Sequence, residues 1–221
     1  MKLSSDTINV LKNFSDINEN ILFKPGKEIH TISGMKNILA KATIGEEIPK
    51  EFGIYNLAEF LNVIGTYSSP IIKFSDSQSL VVDDEKDSSP VKYNFSEKSV
   101  LNTPEKMIQM PSVDSTFELK NESLQRVMKR VNTLGLPDLA FKSEDGEIKL
   151  VASDKKDPNS NTASIVIGNS NIDFIAYLKT ENLKFVPDDY TVEVSSKKIA
   201  HFINKNKPIE YWVALEPDSE F

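Results

Sequence analysis

With 221 residues, 39% of them hydrophobic and 27% charged, the chain is long enough to bury a sizeable core and reads as globular rather than disordered. The absence of cysteine rules out a disulfide framework, and a net charge of −7 argues against indiscriminate binding to nucleic acid. No apolar run approaches the roughly 18 residues of a membrane span and the opening MKLSSDTINVL lacks a signal-like apolar core, so a cytoplasmic protein with no membrane partner is expected.

Ser4, Ser5 and Asp6 form an N-cap and an acidic first turn. Val10, Leu11, Phe14 and Ile17 then supply the apolar stripe of a helix whose polar face carries Lys12. ENILFKPGKEIHTIS predicts two short strands about a Pro25-Gly26 turn, and NILAKATI a third, giving a meander. EFGIY is a strand that feeds a second helix, where Leu57, Phe60, Leu61 and Ile64 have helical spacing; 65–70 terminates it. Strands follow at 71–74, 80–83 and 91–95, with the acidic run Asp83, Asp84, Glu85 and Asp87 expected as a solvated loop. From about 96 to 115 periodicity disappears, Pro104 and Pro111 bracket KMIQM, and an extended connector is expected between a unit at 1–110 and another at 111–221.

STFELK is the next strand, and LKNESLQRVMKRVNTLG the most clearly periodic helix. Leu124, Val127, Met128, Val131 and Leu134 follow one face, with Arg126, Lys129 and Arg130 opposite. LPDLAF, EIKLVAS across an Asp145-Gly146 turn, and TASIVIGN form a second meander, with SDKKDPNSN as a long hairpin loop. DFIAYL leads to a short helix expected over 181–186, which Pro187 stops. YTVEV, KIAHFI and PIEYWVAL complete the strands, and PDSEF is expected to be a mobile polar tail.

The two halves therefore repeat one order: helix, three strands, a strand feeding a helix, three strands. Phe52, Tyr55, Glu59 and Leu61 align with Phe174, Tyr177, Glu181 and Leu183 at an offset of 122, and PVKYNF with PIEYWV. An α+β fold of two similar domains follows, each with antiparallel sheets and two helices on one face.

Residues for catalysis are scarce. His30 and His201 each sit in a strand-like run without a second ligand at metal spacing, and the eight glycines form no phosphate-binding motif, so no enzyme activity, cofactor or metal is expected. The notable chemistry is instead the placement of the chain's two arginines, Arg126 and Arg130, on one helix face beside Lys129.

Four stretches, MKLSSDTINVLKNFSDIN, IYNLAEFLNVI, LKNESLQRVMKRV and YWVALEPDSEF, resemble in order and spacing the sliding clamps, or DNA polymerase processivity factors, of T-even-type bacteriophages, and the resemblance spans the full length. It implies two clamp domains per chain and a closed homotrimeric ring whose helices line a central hole. The ring would be loaded on double-stranded DNA by a clamp-loader ATPase and tether the replicative polymerase in the cytoplasm of an infected bacterium. A basic inner wall opposite an acidic rim reconciles the net charge with DNA. The implied inner-wall residues are Lys12, Lys120, Arg126, Lys129, Arg130, Lys179 and Lys184, with Lys12 the clear basic residue on the first unit's helices.

The resemblance also implies a hydrophobic partner pocket involving Met107, Ile108, Met110, Pro111, Leu215 and Pro217. Ring closure would use two strand edges, one with Val91, Lys92, Tyr93 and Phe95 and the other with Ser164, Ile165, Val166 and Ile167. Two other readings stay open. LQRVMKRVNTLGLPDLAF could be a helix-turn-helix DNA binder, although its Pro and the following Asp-Gly turn favour a hairpin; an acidic structural or interaction protein of a virion would fit the composition alone.

Overall fold

Ser4 Oγ accepts the backbone N–H of Thr7 at 3.2 Å and caps α1 (Ser5–Ile17) in the computed structural model, which describes residues 1–74, 78–106 and 108–221. The helix buries Leu11, Phe14 and Ile17 as expected, but Val10 is only half-buried and Thr7, one turn before Leu11, takes the remaining inward place at i, i+4, i+7, i+10. Asn56 caps α2 (Leu57–Gly65) by accepting the Glu59 N–H at 3.0 Å. Leu57, Phe60, Leu61 and Ile64 are buried, and α1 packs on α2. The chain divides into two compact units, Met1–Lys106 and Met107–Phe221.

In the first unit the strands are β1 (Ile21–Phe23), β2 (Gly26–Ile32), β3 (Ile38–Ile48), β4 (Phe52–Ile54), β5 (Pro70–Phe74), β6 (Ser79–Asp84) and β7 (Val91–Asn94). β2 and β3 form an antiparallel pair with Ile29 opposite Ala42, and β5-β6-β7 a three-stranded meander. β1, however, does not form a hairpin with β2: it pairs with β4, Leu22 opposite Gly53. Every residue of β1 and β4 is buried, so each needs a partner inside the core. Pro25 has no N–H to donate and Gly26, at φ 112°, turns the chain away.

The second unit contains β8 (Ser115–Leu119), α3 (Asn121–Leu134), β9 (Asp138–Glu144), β10 (Glu147–Ser153), β11 (Ala163–Asn169), β12 (Phe174–Lys179), β13 (Tyr190–Ser195), β14 (Ile199–Asn204) and β15 (Ile209–Ala214). Its antiparallel sheets run β11-β10-β9-β12 and β15-β14-β13-β8. α3 packs on β10 and β11 and buries Leu124, Val127 and Val131. Leu134 departs from the expected apolar face at 44% exposed. Gly135 ends the helix in the left-handed region at φ 65° and Leu136, 5% exposed, enters the core instead.

Four further expectations are corrected. The 181–186 helix is only a 3-10 turn, Thr180–Asn182. Pro187 limits the space, and two buried tyrosines bind the segment to the sheet: Tyr190 Oη donates to Val186 O at 2.5 Å and Val186 N–H donates to Tyr211 Oη at 3.1 Å, while the Phe185 ring packs tilted against Phe202 at 4.5 Å. Asp83 and Asp84 are not a solvated loop but the buried end of β6; Lys73 lies 2.9 Å from Asp83, and Ser69 N–H donates to Asp84 at 2.9 Å. The connector is anchored at its start, because Leu101 is buried and Asn102 receives and donates bonds to Asn18, Asn20, Ile32 and Ser33. The final residues are docked rather than mobile: Glu216 N–H donates to Tyr177 O and Glu220 pairs with Ile175.

Candidate nucleic-acid interface

α3 is fixed by its apolar face, and this leaves Arg126, Lys129 and Arg130 exposed together on the other. Arg126 Nη2 donates to Glu122 Oε1 at 2.7 Å, one turn back, an exposed pair worth about 0.3–0.5 kcal/mol that yields readily to a stronger anion. Lys120 precedes the helix and provides no side-chain cap. Asp189, ahead of β13, does this instead: Oδ1 accepts the Asn121 N–H at 2.8 Å and Oδ2 accepts Lys120 Nζ at 3.0 Å. These bonds, the Asn121 N–H first, hold the Asp189 carboxyl below the usual range, and Asp189 raises the Lys120 ammonium. Sequence reasoning did not find Asp189, which lies 68 residues from the N–H it caps.

Lys12 is exposed on α1 in the first unit, and Lys184 is exposed after the 3-10 turn of the second. Lys179 differs from the inner-wall expectation. It lies on β12, is 27% exposed, and its Nζ is 2.5 Å from Asp138, whose side chain is 1% exposed, and 3.8 Å from Glu216. The lysine neutralises a buried carboxylate.

The partner-pocket residues also separate. Ile108 is 40% exposed, Pro111 and Pro217 are exposed and Met110 is half-buried, whereas Leu215 at 5% belongs to the core and Met107 lies outside the described residues. The connector's end is held to β13, with Ser112 Oγ 2.8 Å from Ser195 Oγ and Asp114 N–H donating to Val194 O at 2.9 Å. Both strands expected at ring closure are sheet edges, β7 in β5-β6-β7 and β11 in β11-β10-β9-β12. Val91 and Val166 are 39% and 52% exposed. Tyr93 donates to Glu59 Oε1 at 3.0 Å, and burial together with Glu59 pushes its phenol up to about 12. Beside β7 lies an open cavity of about 530 Å³ flanked by Tyr55, Val63, Val91 and Tyr93. Phe95 falls one residue beyond β7, where its N–H donates to Gln78 O at 2.8 Å, and its ring lies 5.0 Å from that of Phe52.

Both histidines lie in strands, His30 in β2 and His201 in β14. His201 is bracketed by Glu193 and Glu210 at 3.0 Å and stacks on Trp212 at 4.4 Å. His30 lies in β2, where burial lowers its pKa. β9 occupies the position that a second helix of a helix-turn-helix would need.

In the second unit, then, α3 presents an exposed cationic face from an antiparallel sheet whose outer strand, β11, is an edge. Solved structures with the same fold are the proliferating cellular nuclear antigen, PCNA, of Entamoeba histolytica (TM-score 0.70, 14% identity, 95% of this chain and 94% of that one) and A. fulgidus PCNA bound to the C-terminal region of FEN-1 (TM-score 0.70, 12% identity, 96% of each). The fold is thus PCNA-like, α+β with antiparallel sheets and few helices.

Residues 4–98 match the family described as DNA polymerase processivity factor, and 116–217 that described as gp45 sliding clamp, C terminal. The sliding clamp of Vibrio phage KVP40 is 33% identical over 98% of this chain and 99% of its own. That of Escherichia phage RB69 is 30% identical over 99% and 98%, and that of Enterobacteria phage T4 28% over the same shares. The chain belongs to the sliding-clamp family of DNA polymerase processivity factors.

Proposed function

We propose that three copies close into a ring around duplex DNA and tether the replicative polymerase, without catalysis of their own, in the cytoplasm of an infected bacterium. In this reading 1–110 and 111–221 are the two clamp domains, and a clamp-loader ATPase opens the ring. The observation that carries it is the concentration of both arginines with Lys129 on the exposed face of α3 in a chain of net charge −7. Arg126, Lys129, Arg130, Lys12, Lys120 and Lys184 make phosphate contacts without reading bases, and Lys179 serves the second unit's fold through Asp138. Each contact is weak, about 1 kcal/mol or less at an exposed site, so the ring slides and topology retains it. Closure pairs the β7 edge of one copy with the β11 edge of the next, and Ile108, Met110, Pro111 and Pro217 receive the polymerase segment.

Extension from a singly primed circle, with loader and polymerase supplied, tests the reading. Long products are expected only with this chain present, and its retention should be lost when the circle is cut. Equal product length with and without the chain would refute tethering, and a monomer in sedimentation at micromolar concentration would refute closure.

A further inference from the structure

Lys120 and the three exposed cations of α3 are not equally free. Arg126 Nη2 is 2.7 Å from Glu122 Oε1, and Lys120 Nζ is 3.0 Å from Asp189 Oδ2. Both pairs are open to solvent, with the arginine and lysine side chains 53% and 59% exposed, so they can be exchanged for another anion, unlike the buried Lys179–Asp138 pair. Lys129 and Arg130 differ. No position three or four residues from either holds an acid, and among the described residues neither has a carboxylate partner.

Both carboxylates also serve the helix. Glu122 lies in its first turn, where the dipole favours an acid, and Asp189 Oδ1 accepts the Asn121 N–H at 2.8 Å. Capping, however, uses one oxygen of Asp189, and an uncharged amide serves as well. It does not explain why the second oxygen and the Glu122 carboxylate each engage a cation of the same set while Lys129 and Arg130 are left without one. A phosphate reaches Arg126 or Lys120 only by displacing the resident carboxylate. An exposed pair is weak, on the order of a twofold factor, so the exchange is reversible. It lowers the strength of each contact without altering how many phosphates are neutralised.

We propose that Glu122 and Asp189 are resident counter-ions that set the friction of the chain on DNA. Lys129 and Arg130 hold phosphates, while Arg126 and Lys120 alternate between a phosphate and their own carboxylate as the duplex moves past. This rests on the reading of α3 as the DNA contact, and gives two acidic residues a positioning role within a cationic surface.

The test follows the fluorescently labelled full-length chain, placed by its loader on stretched double-stranded DNA, and reads its one-dimensional diffusion coefficient and the salt dependence of DNA association. Glu122→Gln with Asp189→Asn removes both charges, and the new asparagine keeps the cap. This variant is expected to diffuse about fourfold more slowly than wild type, about twofold for each pair released, with the same salt slope. Glu51→Gln, which frees Lys98 from a carboxylate 3.9 Å away in the first unit, changes the net charge as much as Glu122→Gln alone and is expected to diffuse as wild type does. Unchanged diffusion of the double variant at a wild-type melting temperature, or equal slowing by Glu51→Gln and Glu122→Gln, overturns the proposal. Lys129→Ala with Arg130→Ala separates the two ways of failing. Weaker DNA association in that variant, with the acid variants silent, leaves the DNA reading standing and removes the counter-ion role; no change in either set removes α3 from the DNA contact altogether.

Discussion

Lys179 Nζ lies 2.5 Å from Asp138 Oδ1, and the Asp138 side chain is 1% exposed. The second Asp138 oxygen accepts the Lys155 backbone N–H at 3.1 Å, so the carboxylate ties β9, β12 and the loop after β10 together. Removing one partner of such a pair leaves a buried charge uncompensated and costs about 3–5 kcal/mol. Because Asp138 keeps its main-chain donor, Lys179→Ala is expected near the lower end, about 3 kcal/mol, read by denaturant unfolding. An unchanged midpoint with reduced retention on DNA would restore Lys179 to the inner wall.

The α3 face has the opposite signature. Arg126→Ala with Arg130→Ala touches no buried group, so stability is expected to change by less than about 0.5 kcal/mol. The salt dependence of DNA association should flatten by about two in slope, near 0.9 for each phosphate that is no longer neutralised. Glu122→Gln, which releases Arg126 from its 2.7 Å pair, is expected to strengthen association modestly. Salt titrations of DNA binding by the three proteins check both; coincident slopes for wild type and the double variant would rule out this face as the DNA contact.

The helices were legible wherever a cap and an apolar stripe coincided, as at Ser4 with Leu11 and Phe14, or Asn56 with Phe60 and Ile64. For α3 the sequence displays only the stripe, since its cap, Asp189, comes from another part of the chain. Segment 181–186 is ambiguous in sequence because Leu183 and Phe185 can satisfy either a helix or an aromatic cluster, and only the tertiary bonds from Tyr190 and Tyr211 decide between them. The β1–β4 pairing and the docked Glu220 are likewise long-range choices without local periodicity. Of the basic residues, the Arg126, Lys129 and Arg130 face followed from the helical period, but the engagement of Lys179 with Asp138 depends on burial that the sequence does not display.

Glu46, on β3, supports the start of α1 from across the fold. It accepts the Ser4 backbone N–H and Thr7 Oγ1, the latter at 2.5 Å. Burial raises its carboxyl, but the Thr7 and Ser4 bonds outweigh this and hold it below the usual carboxylate range. A depressed folded-state value means that the stabilisation is complete above the unfolded Glu range and is lost as pH falls through the lowered value. Glu46→Gln is expected to cost about 1 kcal/mol at neutral pH, the scale of a helix cap, and the difference from wild type should shrink as the solution is acidified below the ordinary Glu range. Unfolding curves across that range check it; a difference constant with pH would assign the effect to packing instead.

Gly53 makes the most local prediction. Its φ is not in the left-handed region, so alanine there is excluded by contact and not by backbone conformation. The new Cβ would stand 2.5 Å from Leu101 Cδ1, which can swing aside, and 2.7 Å from Ser96 O, which is main chain bridged to Gly53 itself and cannot move without breaking that bridge. Overpacking of this kind costs about 1–3 kcal/mol, and the strain falls on the start of the connector. Gly53→Ala is therefore expected to release 96–102 before the rest of the unit unfolds, and trypsin should cut after Lys98 faster than in wild type under native conditions. The Ile175–Glu220 bridge, where a side chain is already accommodated, gives the control: Ile175→Ala should leave cleavage at Lys98 unchanged. Equal rates at Lys98 in Gly53→Ala and wild type would show that the connector tolerates the added methyl, and that Leu101 and Asn102 hold it without the bridge.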